Sequence, residues 1–360
     1  MAYLKRAYSE IYTDKTDILF YFIQKAAQIC RGETGLIVSR SFLEAHKAQK
    51  LRGWIAKNLR VRAVLDFRHA HVFPGVGINT AIIRLTHSKA AKTALFARYA
   101  HRALPPAYTP DSLRAPDNFA GVSIPQTDLS SDAWNFAEKD TRKILAQIDG
   151  NGVPIGKILH IGKGMETAHN KSFTFATERD RTRELTDQGL LYERARNSDI
   201  QAFHIRESGK HLLWLEDTPS FDDLPEDLRR HLEQNRGVLE NRAAFVRGNC
   251  DWWRFSWPLH KDFFHRARIF CPYRASSNRF ALDEERKFLG ITDTTVLYDN
   301  EQPEDLRYVL GLLNTRILTA RFLFISKLLG GGVMEYYENT VSKLSIPRGK
   351  PGQSHHDQIV

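Results

Sequence analysis

The residues of this sequence best suited to chemistry are an aromatic and the two residues that pin it: Phe73, Pro74 and Gly75. They lie between two apolar runs. Val61, Ala63, Val64, Leu65 and Phe67 form the first, and residues 78–85 the second. The pattern reads as strand, loop, strand. An aromatic held by proline in a connection too polar to be core has two uses. It plugs the corner between the strands, or it presents a face for stacking. Two other stretches carry groups that read base edges or hold phosphates. One is a glycine-flanked loop with Lys163, His169, Asn170 and Lys171, and the other holds Arg274, Ser276, Ser277, Asn278 and Arg279.

Other chemistries find little support. Cys30, Cys250 and Cys271 are far apart with no Cys-x-x-Cys pair, which argues against structural zinc and fits a reducing cytoplasm. No metal site is expected, the His355-His356 pair included. Asp283 to Lys287 contains Glu-x-Lys with Asp262 upstream, a nuclease-like trio, but the local pattern looks like a helix start. Trp252, Trp253 and Trp257 read as core before they read as stacking platforms. No apolar run reaches the ~18 residues of a membrane span, and the N-terminus lacks a signal-peptide core, so a cytoplasmic protein is expected.

Charge is unevenly placed. The whole chain carries +10, yet residues 1–100 hold 17 Lys and Arg against 6 Asp and Glu, a net +11. The remainder is close to neutral. Phosphate neutralisation is the commonest use of such a patch, with a solvated surface or an acidic partner protein as the bland alternatives.

The elements that must position these groups follow an α/β order. Residues 14–30 form a helix with a broad buried face, capped by Asp14 or Thr16. Residues 36–38 form a short strand, and Ser39 or Ser41 caps a helix running to about Leu59. The strand pair around Phe73 follows, and its short connection requires antiparallel pairing. Residues 101–150 are proline-rich and read as a connection, with a helix near 133–148. Helices are expected at 224–236 and 307–323, a flexible glycine loop at 330–332, and a disordered tail at 349–360.

Taken in order, these pieces resemble the C-terminal part of TaqI-like adenine-specific DNA methyltransferases and the restriction-modification enzymes built on them. The pieces are LKRAYSEIYTDKTDILFYFIQKAAQICRGETGLIVSRSFL, then RAVLDF and HVFPGVGINTAIIRL, then ILHIGKGMETAHNKSFTF, YERARNSDIQAFHI and ARIFCPYRASSNRF. The resemblance implies an incomplete Rossmann-like methyltransferase domain over residues 1–100, a linker over 101–150, and an α+β target-recognition domain over 151–348. It implies that Phe73, with Pro74, stacks on a flipped adenine. It sets Ile18 and Phe22 against the cofactor, S-adenosylmethionine, the bland alternative being plain helix core. It makes Lys163, His169, Asn170, Lys171, Arg274, Ser277 and Asn278 contacts to double-stranded DNA.

The sequence departs from the family at two points. The glycine-rich turn that holds the cofactor and the Asn-Pro-Pro-Tyr tetrapeptide that orients the target amine do not occur in it. Pro105-Pro106-Ala107-Tyr108 lacks the asparagine, and Gly75-Val76-Gly77 does not follow a first strand. The expectation is therefore a chain that works with a separate polypeptide carrying those motifs. The alternatives are a specificity subunit without chemistry of its own, or an inactive gene fragment.

Overall fold

The computed structural model describes residues 2–68, 70, 72–73, 75–101, 104, 118–134, 137–300, 305–329 and 332–348. Pro74, Gly330, Gly331 and the expected disordered tail lie outside them. The chain divides into two compact units: Met1–Ala146 with Phe324–Gly332, and Gln147–Leu323 with Val333–Val360.

The first unit begins with α1 (Ala2–Ala7) and α2 (Ile18–Ile29). Asp17 rather than Asp14 or Thr16 caps α2, its carboxylate accepting the Leu19 N–H at 3.0 Å. Strand β1 (Glu33–Ser39) follows. The long helix expected up to Leu59 is broken. It consists of α3 (Ser41–Glu44), a 3-10 turn at His46–Ala48, and α4 (Gln49–Asn58). Arg52 holds the break: its guanidinium donates to the carbonyls of Phe42 and Ala45, both at 3.0 Å. Burial pushes the Arg52 pKa down to about 10.

Strands β2 (Arg60–Asp66), β3 (Thr80–Thr86), β4 (Thr93–Tyr99) and β5 (Phe119–Pro125) complete a five-stranded sheet of order β1-β3-β2-β4-β5. The β2–β3 pair is antiparallel, as its short connection demands, while β2 and β4 run parallel. The stretch read as a bare connection thus contributes an edge strand, β5, paired antiparallel with β4 along its whole length. Its helix lies at Lys139–Gly150, several residues later than the expected 133–148. One sheet face packs on α2, α3 and α4 through Phe20, Ile23, Phe42, Ile55, Val64 and Ile83. Each such fully buried side chain contributes about 1.5–3 kcal/mol. On the other face Ile37 and Leu95 remain 43% and 46% exposed.

The second unit mixes short strands and helices. One four-stranded sheet joins Phe288–Gly290, Leu191–Ala195, His211–Leu213 and Thr174–Phe175. Another joins Ala281–Asp283, Arg268–Pro272, Thr294–Tyr298 and His160–Lys163. The helix expected at 224–236 is two, Glu226–Gln234 and Arg236–Glu240. That expected at 307–323 is also two, Leu306–Leu313 and Arg316–Ile325, bent by 72°. At this bend the Asn314 side chain accepts the Phe280 N–H and donates to the Phe280 carbonyl, both at 2.9 Å. A tertiary strand mimic of this kind leaves no proline or glycine signal in sequence. No single described helix is long and apolar enough to cross a membrane.

Candidate nucleic-acid interface

Phe73 leaves β2 by a short, tied path. Asp66, the last residue of β2, is buried. Its carboxylate receives Arg40 in fork geometry, Nε at 2.9 Å and the second guanidinium nitrogen at 3.0 Å. It also accepts the Arg68 backbone N–H at 2.9 Å. Arg40 reaches Glu44 at 2.6 Å as well. Burial works against the Arg40 charge, but Glu44 and Asp66 outweigh it and hold its pKa above the ordinary guanidinium value. Beyond this root the chain turns. Val76 N–H donates to the Phe73 carbonyl at 3.2 Å, and Gly75 takes φ +73°, a conformation that glycine adopts without cost.

The Phe73 ring is 44% exposed and joins none of the apolar clusters among the described residues. The ring therefore lies outside the described apolar cluster at the strand corner. Phe67, Ala70 and Tyr99 close the corner instead. Ile18 and Phe22 correct a second alternative: they are not helix core but 62% and 66% exposed. The buried face of α2 is carried by Phe20, Tyr21, Ile23, Gln24 and Ala27.

The basic first third is only partly free. Arg40 and Arg52 are buried in the contacts above, and Arg62 and Arg84 both pair with Glu33. Arg98 stands differently. It opens on a cavity of about 150 Å³ lined also by Asp66, Phe96, Trp134 and Glu138. Burial first, and then neighbouring Arg68, hold its pKa below the ordinary value.

In the second unit most polar groups singled out from sequence serve the protein itself. Asn278 is 5% exposed. Its amide donates to the Leu313 carbonyl at 2.7 Å, and its oxygen accepts the Tyr336 hydroxyl at 3.0 Å. It is a structural residue and not a surface contact. Arg274 pairs with Glu335 at 2.9 Å. His169 Nδ1 lies 2.7 Å from the Ser172 hydroxyl, and Asn170 accepts the Thr167 hydroxyl at 2.6 Å. Lys163 stands 3.7 Å from Glu166. Lys171 and Ser277 are exposed and show no hydrogen bond or ion pair of their side chains among the described residues. Trp253 is core at 5% exposed, whereas Trp257 is 40% exposed.

The nuclease-like stretch is neither a site nor a helix start. Ala281–Asp283 and Phe288–Gly290 are strands joined by a turn. Asp283 is spent on the Arg268 guanidinium at 3.1 Å and on the Lys287 and Phe288 backbone N–H groups. Among the described residues no group of three or more His, Cys, Asp or Glu could hold a metal ion.

Sequence reasoning missed Asp66 and Arg40, the residues that anchor the Phe73 loop. The one signal for Asp66 was a charged residue ending an apolar strand.

Three comparisons bear on this arrangement. Residues 1–73 match the model of the Eco57I restriction-modification methylase family. The type II methyltransferase M.BstVI of Geobacillus stearothermophilus is 20% identical over 96% of this chain. Among solved structures, the type IIL restriction-modification enzyme MmeI in complex with DNA shares the fold at 12% identity and a TM-score of 0.58, over 94% of this chain. The chain spans 64% of M.BstVI and 42% of the MmeI chain. Residues 1–73 are thus similar to the Eco57I restriction-modification methylases, and the chain as a whole is similar in sequence to M.BstVI and in fold to MmeI.

Proposed function

We propose that this chain is the target-recognition part of an adenine-specific DNA methyltransferase of a restriction-modification system. One observation carries the reading: Phe73 is displayed, 44% exposed, on a loop tied to a buried ion pair at its root. Methyl transfer to an exocyclic amine requires the base to leave the stack, which costs a few kcal/mol. A ring such as Phe73 returns about 1–3 kcal/mol by stacking on it. Residues 1–100, extended by β5, act as the C-terminal part of a Rossmann-like catalytic domain. Residues 151–348 act as the specificity domain, in which Lys171 and Ser277 are the side chains free to meet DNA.

S-adenosylmethionine supplies the methyl group when bound. The exposed, apolar Ile18 and Phe22 fit one side of its adenine ring, being one helical turn apart on α2. The glycine-rich turn and the Asn-Pro-Pro-Tyr tetrapeptide come from a partner segment outside these 360 residues. That partner adds a strand to the outer edge of β1, which carries none among the described residues, and covers the sheet face bearing Ile37 and Leu95.

The test is co-expression with a polypeptide that carries both motifs, followed by transfer of labelled methyl groups to adenine in duplex DNA. The complex should methylate, and Phe73→Ala should slow it about tenfold to a hundredfold with the fold intact. Wild-type rates with alanine at position 73 would remove the stacking role. Duplex binding without methylation in the complex would instead make the chain a specificity subunit.

A further inference from the structure

The second unit displays another aromatic, in a place where local physics disfavours one. Strands Ile200–Gln201 and His204–Ile205 form a tight antiparallel hairpin with Gln201 opposite His204. Ala202 and Phe203 are its two-residue tip. Phe203 has φ +66°, whereas Ala202 is not among the residues with positive φ. Positive φ at the second tip residue alone is the pattern of a type II turn, whose second central position calls for glycine. A bulky aromatic there is strained. The strain is not offset by burial, because the Phe203 ring is 59% exposed.

The hairpin is nevertheless held firmly. Ile200 and Ile205 are core residues, 0% and 4% exposed. The Phe203 N–H donates to the Phe280 carbonyl at 2.8 Å, a bond that glycine could make equally well. At the base, buried Asp199 takes Arg196 in a fork at 2.7 and 2.9 Å, and its carbonyl accepts the Arg206 N–H at 2.9 Å. The tip is therefore a rigid mount, and among the described residues no ring or cation–π contact uses the Phe203 side chain. Two arginines adjoin it along the chain: Arg206, whose guanidinium donates to the Ser198 carbonyl at 3.1 Å, follows the hairpin, and Arg279 precedes Phe280; among the described residues neither is in an ion pair.

We propose that Phe203 is a wedge that inserts its ring against the base stack of duplex DNA, with Arg206 and Arg279 on the flanking phosphates. Apolar side chains inserted at a base step unstack it and bend the duplex, and phenylalanine is among those that do so. A wedge needs an exposed ring on a support that does not yield, which is what the strained hairpin provides. This rests on the reading of the chain as a DNA-recognition protein and adds to it a second aromatic, distinct from the Phe73 base platform.

The test uses the full 360-residue chain and a labelled duplex enriched by the wild-type chain from a random-sequence pool. Phe203→Gly relieves the backbone strain, so its melting temperature should equal or exceed that of the wild type. Its affinity for the duplex should nonetheless fall about tenfold or more, with the slope of log affinity against log salt unchanged, because no phosphate contact is removed. Phe203→Trp should keep wild-type affinity. Affinity of Phe203→Gly within twofold of wild type overturns the wedge, and a lowered melting temperature makes Phe203 a structural residue and also overturns it. If the wild-type chain binds no duplex at low salt, the DNA-recognition reading itself falls, and the wedge with it.

Discussion

The loop that carries Phe73 and the loops of residues 163–171 and 274–279 share a sequence signature: polar connections holding groups suited to ligand contact. They differ in where their bonding capacity goes. The first spends its polar root internally, through Asp66 and Arg40, and leaves its apolar ring outside. The others spend most of their polar groups on themselves. Asn278 is consumed by Leu313 and Tyr336, Arg274 by Glu335, and His169 by Ser172. A donor in a loop competes first for local backbone and side-chain partners, and only the remainder is available to a ligand. Residue type is thus a weaker guide to contact than residue type together with its unspent bonds.

The sharpest way to break this comparison is to remove the internal bonds in both units. Asp66→Ala leaves buried Arg40 with Glu44 as its one carboxylate, and Asp283→Ala leaves buried Arg268 with backbone carbonyls alone. The second should cost about 3–5 kcal/mol in urea denaturation, since that guanidinium stays buried without a carboxylate, and the first less, because Glu44 keeps its charge paired. Only Asp66→Ala should also impair base capture in the reconstituted enzyme. Equal loss of methylation at matched folded fraction in both variants would show that the Asp66 pair does not position Phe73.

A smaller effect follows at Asn278. Replacing it by alanine leaves the buried Leu313 carbonyl without its donor and should cost about 1–3 kcal/mol. The folded variant should bind duplex DNA as wild type does. A specific loss of affinity with unchanged stability would restore Asn278 as a contact residue.

The smallest changes in stability belong to the displayed groups. Phe73→Ala and Lys171→Ala should each stay within about 0.5 kcal/mol of wild type in the same denaturation measurement. Lys171→Ala should lower the salt slope of duplex binding by about 0.9, the release expected for one phosphate contact. An unchanged slope would assign Lys171 to plain solvent.

Much of the architecture was legible because it depends on local pattern. Periodicity announced α2 and the strands around Phe73, and the short connection between β2 and β3 dictated their antiparallel pairing. Other boundaries failed for reasons that lie far away in sequence. The break after Glu44 depends on Arg52 capping carbonyls one turn back in space, and the 72° bend near Asn314 depends on the Phe280 backbone. Strand β5 was invisible within a proline-rich stretch because its partner β4 supplies the ladder.

By itself the sequence determined the alternation of helix and strand as far as β3, the basic first third and the presence of an aromatic pinned in a polar loop. Those are properties of residue type and spacing, and no fold is needed to read them. Only the tertiary structure decided which groups remain available. Arg40 and Arg52 count fully toward the charge of the first third, yet packing commits them to buried carboxylates and carbonyls, while Arg62 and Arg84 share the surface carboxylate of Glu33. Likewise only the folded hairpin shows Phe203 at φ +66°, because strain arises from the strand register on either side of a residue and leaves no mark on its type.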